Sequence, residues 1–273
     1  MKITITLFQS DDMTASSCTQ VMSLVAFGRY GAVYRYMEPD TNRIVAIKIP
    51  RKKTLDTESE ILTLLNNIQG EARNYIPIIY NTFNCEHGTG IIMEYVPGKS
   101  LEKVSTFDNR MLTYRIFECV AIAIQLLHSR TIIHRDVKPD NIIYNDNPFQ
   151  VKLVDYGFAV LESDAEQICK LKGSTAYAAP ELYDEPYHVG TFNDVWSFGV
   201  SLFEKLTNKF PIGEGLKDVS EFVTMLQNFT STITWNTKGI TSADANFLRY
   251  IFVYWTQRVP MSIIVEKLQY NSQ

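Results

Sequence analysis

The sequence predicts an α+β chain in which a small β-rich N-terminal lobe with one main helix precedes a larger α-helical C-terminal lobe. Three observations predict it. From Val21 to Val96 the apolar pattern is mostly strand-like, interrupted by one helical stretch, Glu58 to Asn66, with Ile61, Leu62, Leu64 and Leu65 on its apolar side. Pro97-Gly98 then breaks the pattern and reads as a hinge. Beyond it helical periodicity dominates, in Arg110 to His128 and Val195 to Leu206. Ahead of these, Ile3 to Leu7 alternates with period two, which predicts a short strand, and residues 9–20 are polar and read as a loop. No internal repeat or low-complexity segment is present.

Composition bounds the function. The chain has 273 residues and is 45% hydrophobic, enough for a sizeable core in one or two domains. A net charge of −4 gives no sign of nucleic-acid or membrane binding. Cys18, Cys85, Cys119 and Cys169 form no CxxC pair, and the histidines are too scattered to complete a zinc site. Four reduced thiols in a cytoplasmic or nuclear protein are expected. Met1 to Phe8 is too short for the apolar core of a signal peptide. The most apolar stretch, Cys119 to Leu127, carries Gln125, is too short to span a bilayer, and reads as a buried helix.

Two segments of the first lobe suit phosphate binding. Between strand-like runs lies Ala26-Phe27-Gly28-Arg29-Tyr30-Gly31-Ala32-Val33, where glycines let the backbone approach phosphates and donate N–H groups. An ordinary two-glycine hairpin reads the same way. Val45-Ala46-Ile47-Lys48 ends an apolar strand on a lysine, which fixes one positive charge at a defined depth; a surface lysine on an edge strand is the bland reading. The helix that follows offers Glu58 and Glu60 as partners for Lys48. Glu60 is favoured because it directly precedes Ile61-Leu62, and Glu58 is the alternative.

The decisive run is His134-Arg135-Asp136-Val137-Lys138-Pro139-Asp140-Asn141, between apolar stretches ending at Ile133 and starting at Ile142. Here the chain resembles the eukaryotic-type protein kinases, whose H-R-D-x-x-x-x-N loop it reproduces in full. Asp155-Tyr156-Gly157 resembles D-F-G, Ala179-Pro180-Glu181 is the A-P-E segment, and Asp194-Val195-Trp196-Ser197-Phe198-Gly199 matches D-x-W-S-x-G. The resemblance covers residues 21 to about 268. It departs from the pattern at Ala26 for the first glycine, Tyr156 for phenylalanine and Ser174 for threonine.

The resemblance implies a bilobal kinase fold: an extension at 1–20, a kinase domain at 21–268 with its N-lobe at 21–96, a hinge at about 94–98 and a C-lobe at 99–268, and a tail at 269–273, with no room for a regulatory domain. It implies ATP with Mg²⁺, Mn²⁺ being an alternative cation. Asp136 would accept the substrate hydroxyl's proton, and Lys138 would sit near the transferred phosphate. Asn141 and Asp155 would hold the metal. Lys48, fixed by Glu60, would hold the α- and β-phosphates. Ala26, Gly28, Gly31, Val33, Ala46, Glu94, Val96 and Ile143 would complete the nucleotide site. Asp194 would accept backbone N–H bonds from the catalytic run, and Arg258 would pair with Glu181. Lysine two residues after the catalytic aspartate accompanies serine/threonine specificity in this family.

Substrate choice and regulation are read the same way. Ser174, Asp140 and Glu204 would face the peptide. The last two are acidic where basophilic relatives select basic residues, and Ser100, with Glu102 nearby, holds a third such position. Basic protein substrates are therefore expected, without direct contact to nucleic acid or membrane. Lys170 occupies the usual activation-segment phosphosite, so Glu162, Asp164 or Glu166 is expected to partner Arg135 instead. A pseudokinase scaffold and a small-molecule kinase are the competing readings. Lys48, Glu60, Asp136, Asn141 and Asp155 argue against the first, and the A-P-E and D-x-W-S-x-G segments against the second. The compact form also resembles the protein kinases of baculoviruses, which implies a viral protein expressed late, acting on a basic, DNA-condensing virion protein.

Overall fold

The computed structural model describes residues 22–28, 31–51, 57–105, 109–164, 173–183, 187–211 and 239–271. The strand expected at Ile3 to Leu7, the loop at 9–20, Cys18, Cys169, Glu166 and Lys170 lie outside them. The chain divides into two compact units, residues 1–67 with 77–96, and residues 68–76 with 97–273.

In the first unit, alternation builds one antiparallel sheet of β1 (Ser23–Phe27), β2 (Gly31–Met37), β3 (Ile44–Pro50), β4 (Ile79–Cys85) and β5 (Gly88–Glu94), in the order β1-β2-β3-β5-β4. Its centre is Val45, Ile47 and Ile92, covered by Tyr36, Ile49, Tyr80 and Phe83. The central strand β3 is nearly continuous in apolar residues because both its faces are covered. Helix α1 (Thr57–Asn66) buries Ile61, Leu62 and Leu65. It is pinned to β4 by the Asn66 side chain, which donates to the Ile79 carbonyl and accepts from its N–H at 3.1 Å.

The segment 68–76, expected in the N-terminal lobe, belongs to the second unit. Ile76 is fully buried there, and its carbonyl accepts from Arg73 Nη1 at 2.7 Å and from Lys152 Nζ at 3.1 Å. Side-chain donors from that unit, which no local pattern announces, set the boundary.

The second unit is organised by α2 (Arg110–His128) and α3 (Thr191–Thr207). Asn109 caps α2 by accepting from the N–H groups of Met111 and Leu112. By length and composition α2 could cross a membrane; here Ile116, Phe117, Val120, Ile124 and Leu127 are buried within the unit, where α2 packs on α3 and on a later helix, as the apolar run at 119–127 leads one to expect. Most of α3 is buried, its polar Asn193, Asp194 and Lys205 as well as its apolar residues, so the buried polar groups need hydrogen-bond partners. A short sheet follows in the order β6 (Lys99–Ser100), β8 (Ile142–Asn145), β9 (Gln150–Leu153), and β7 (Ile132–Ile133) pairs with β10 (Val160–Leu161). Helices α4 (Ser242–Leu248) and α5 (Met261–Asn271) complete the described part, and α5 is the later helix packed on α2. At Pro97-Gly98, Gly98 has φ +130°, and a Cβ there would lie 2.3 Å from the Tyr144 carbonyl oxygen, so only glycine fits the bend.

Candidate active site

In the first unit, where β1 leads to β2, the Gly28 N–H donates to the Gly31 carbonyl at 2.9 Å. A Cβ on Gly31 would lie 2.8 Å from the Ile49 carbonyl oxygen, whereas one on Gly28 would, among the described residues, meet nothing closer than 3.8 Å. The two glycines therefore differ among the described residues: Gly31 is required by packing against Ile49, and Gly28 is not. Ala26 pairs with Val33 next to a register shift. Lys48 lies on β3 opposite Val33 and Ile91, and Ala46 opposite Arg35 and Met93. Glu94 pairs with Val45 and accepts from the Ile78 N–H at 3.1 Å, so it ends the sheet just before Val96.

Glu58 receives Lys48. Nζ lies 2.7 Å from both of its carboxylate oxygens, and both side chains are about five-sixths buried. The expectation of Glu60 is corrected: Glu60 is exposed. The reason is helical period. Glu58, Ile61, Leu62 and Leu65 stand at i, i+3, i+4 and i+7, the spacing of one face, while Glu60 shares the outer face with exposed Leu64. Counting back from the apolar face, rather than taking its nearest neighbour, would have found Glu58.

In the second unit the catalytic run leaves β7 and bends where Arg135 takes φ +64°. Asp194, in the first turn of α3 and fully buried, holds the bend by accepting from the His134 N–H at 2.8 Å, the Arg135 N–H at 2.9 Å and His128 Nε2 at 3.0 Å. Burial alone would raise its pKa; the bonds from His128 and the neighbouring charges outweigh that and hold it below the ordinary value. His134 is buried beneath the Tyr156 ring, centroids 5.0 Å apart. Burial pushes its pKa down, against Asp194, Asp136 and Asp155. The Tyr156 hydroxyl donates to the Leu153 carbonyl at 3.2 Å, which gives the tyrosine in place of phenylalanine a buried partner.

Three side chains converge on Asp136. Asn141 Nδ2 donates to its Oδ2 at 2.9 Å and to its backbone carbonyl at 2.8 Å. Lys138 Nζ lies 2.9 Å from Oδ2. Ser174 donates to Oδ1 through its N–H at 3.1 Å and its hydroxyl at 3.0 Å, and that hydroxyl accepts from Lys138 at 2.6 Å. A serine hydroxyl thus already lies within hydrogen-bond reach of the carboxylate expected to act as base. Gly173 makes this approach feasible: its φ is +106°, and a Cβ would stand 2.3 Å from the Arg135 carbonyl oxygen.

The residues suit a hard cation. Both donors of the Asn141 amide face Asp136, which turns its oxygen the other way, and Asp155 is an exposed carboxylate on a left-handed backbone at φ +64°. An amide oxygen and a carboxylate are donors of the kind a hard divalent cation takes. Ile143 on β8 pairs with Ser100 and Lys152.

Arg258 reaches Glu181 as a fork, Nη1 to Oε1 and Nη2 to Oε2, the latter at 3.2 Å. Asn193, unanticipated from sequence, adds a bond to Glu181 Oε1 at 2.9 Å. Arg135 donates through Nε to the Phe158 carbonyl at 2.7 Å. Burial lowers its pKa to about 10, opposed by Asp194 and Asp164, so of the two expected carboxylates within the described residues, Glu162 and Asp164, it is Asp164 that acts on it. Of the residues expected to face the peptide, Asp140 is exposed, and Glu204 is half-buried and accepts from the Tyr177 hydroxyl at 2.7 Å. Tyr177, also unanticipated, has its pKa pushed up by burial and by this bond.

The chain is similar to the Carbon catabolite-derepressing protein kinase of Saccharomyces cerevisiae, 26% identical over 78% of this chain and 35% of that protein. It is similar to the Aurora kinase of the same yeast, 29% identical over 71% of this chain and 54% of that protein. It is also similar to the Citron rho-interacting kinase of Rattus norvegicus, 30% identical over 72% of this chain and 10% of that protein. The chain thus spans from a tenth to about half of these relatives' length. The family model described as Protein kinase domain matches residues 19–257. A catalytic run, a D-Y-G and an A-P-E segment held in these contacts within that match place the chain in the protein kinase domain family.

Proposed function

We propose that the protein transfers the γ-phosphate of ATP to serine or threonine hydroxyls of proteins. The observation that carries this is the cluster on Asp136, where a hydroxyl, an ammonium and a carboxylate stand in mutual contact. In transfer, the substrate hydroxyl oxygen bonds to the γ-phosphorus, the bond to the β-phosphate's bridging oxygen breaks, ADP leaves, and Asp136 takes the hydroxyl proton. Asn141 fixes the carboxylate's orientation, and Lys138 places positive charge beside the oxygens that gain negative charge. Magnesium, held by Asn141 and Asp155, would neutralise charge on the phosphates; manganese has the same donor preference. Lys48, fixed by Glu58, would hold phosphate oxygens from the first unit.

The preferred substrates are basic proteins. Asp140 and Glu204 support this, since two carboxylates bind arginine as a planar fork and attract cationic chains in a salt-dependent way. An arginine-rich, DNA-condensing protein fits that chemistry. The resemblance to baculovirus kinases would make it a virion protein and place the enzyme in the host cytoplasm or nucleus, a setting in which the free thiols of Cys85 and Cys119 would persist.

The test is phosphosite mapping after incubation with Mg-ATP and a degenerate peptide library. Phosphate on serine and threonine with arginine enriched before the acceptor is expected. Phosphotyrosine alone would overturn the specificity, and no phosphopeptide would favour a nucleotide-binding scaffold.

A further inference from the structure

Helix α3 grips the chain at both ends. In its first turn Asp194 takes backbone N–H groups of the catalytic run. In its last turn Lys205, only 3% exposed, donates Nζ to the carbonyls of Leu101, at 2.8 Å, and Val104. A buried ammonium is costly to desolvate even when its donors are met, and an apolar side chain of similar volume often does as well or better. Burial pushes its pKa down while Glu204 and Glu102 push back. A retained buried charge at this place asks for a use.

The tethered carbonyls bracket Glu102, which is exposed on the turn Leu101–Lys103. That turn packs against the turn Pro139–Asn141, which carries Asp140 and the proposed metal ligand Asn141. Glu204 immediately precedes Lys205 and holds Tyr177. Glu204, Asp140 and Glu102 each raise the pKa of the Tyr177 hydroxyl, after its burial and its bond to Glu204.

We propose that Lys205 is a positioning residue for substrate specificity: by holding the Leu101–Val104 turn through its carbonyls, it keeps Glu102 beside Asp140 and Glu204, so that a basic substrate side chain meets three carboxylates rather than two. This rests on the basic-substrate reading above. A buried helix residue thereby acts through the turn it anchors.

The experiment compares the full chain with Lys205→Met, Glu102→Gln, the double variant and Glu204→Gln. Each is assayed with Mg-ATP on two peptides that differ only by arginine or alanine before the acceptor serine. Lys205→Met and Glu102→Gln are each expected to lower the arginine preference about fivefold, as loss of a partly exposed ion pair does. The loss falls on the KM of the arginine peptide rather than on kcat. The double variant loses no more than either single one, because both remove the same contact. A purely structural staple would shift the melting temperature and leave the preference unchanged. Preference retained in Lys205→Met but lowered in Glu204→Gln overturns the positioning role and leaves the basic-substrate reading standing. Preference indifferent to Glu204→Gln overturns both. Should Lys205→Met fail to fold, Glu102→Gln decides, since exposed Glu102 tolerates substitution: an unchanged preference there overturns the proposal.

Discussion

Two ion pairs, one in each unit, have opposite surroundings. Arg258 and Glu181 are almost wholly buried, at 0% and 2% exposure. Arg258 also donates to the carbonyls of Ile251, Phe192 and Val253, and its guanidinium lies 5.0 Å over Trp196. Lys48 and Glu58 reach solvent at 16% and 15%. The first pair is closed inside protein groups and can do no more than hold the fold. The second is accessible enough for a phosphate to engage. Asp194 and Asp136 repeat the contrast within one unit. Asp194 is spent on two backbone N–H groups and an imidazole, whereas Asp136 has serine, lysine and asparagine side chains that a substrate could rearrange. Closed groups should therefore govern stability and open ones turnover.

The largest effects test that division directly. Asp136→Asn should lower kcat by about 10²–10⁴-fold while ATP affinity and melting temperature stay near wild type. Activity above about a third of wild type would remove Asp136 from its role. Arg258→Met should do the reverse. It strands Glu181 in the interior, so denaturant unfolding should show a loss of about 3–5 kcal/mol, with kcat at low temperature nearly preserved in the folded fraction. A stable but inactive Arg258→Met would erase the contrast.

The pair in the first unit comes next. Glu58→Gln removes a charged acceptor from Lys48, worth roughly 1.5–3 kcal/mol, and should lower kcat/KM for ATP about ten- to a hundredfold. Glu60→Gln should change it by less than about twofold, because that side chain is exposed. Equal effects of the two would show that the helix turns away from the observed face during catalysis.

Which features were legible in the sequence follows the same line. The run His134 to Asn141 is legible because the chemistry demands particular residue types at fixed spacing, and Arg110 to His128 because a buried helix must be apolar over a long span. Glu58 was ambiguous with Glu60 because one residue is a 100° turn, and only a settled helix start decides which carboxylate faces inward. The placement of 68–76, the Asn193 bond to Glu181 and the Lys205 tether were illegible. Each is made by side chains meeting backbone carbonyls or carboxylates far away in the chain, which leaves no local pattern.

Buried His134 sharpens the contrast through pH. Its pKa is depressed in the fold by burial, so between the folded value and about 6.5, the ordinary histidine value, the unfolded chain binds a proton that the folded chain does not. Stability then rises with pH in that window and falls on acidification below about pH 6.5. Urea unfolding of wild type should show this slope, and His134→Phe should flatten it by up to about 1.4 kcal/mol per pH unit. An unchanged slope would mean that His134 titrates normally and is not shut away from water.

A modest effect belongs to the most open element. Ala26 stands where the family has glycine, on an exposed strand, paired with Val33 beside a register shift. Gly28 and Gly31 are joined by a backbone bond, and of these two described glycines a Cβ is excluded at Gly31, by the Ile49 carbonyl. The methyl of Ala26 therefore restricts the strand's approach to phosphate without obstructing that bond. Ala26→Gly should change KM for ATP by less than about tenfold, under ~1.4 kcal/mol, with little change in kcat. Gly31→Ala, which drives a methyl into the Ile49 carbonyl, should weaken ATP binding more than that. A large rise in kcat for Ala26→Gly would show that the alanine holds the natural protein back, and a harmless Gly31→Ala would show that β2 can move away from β3 at little cost.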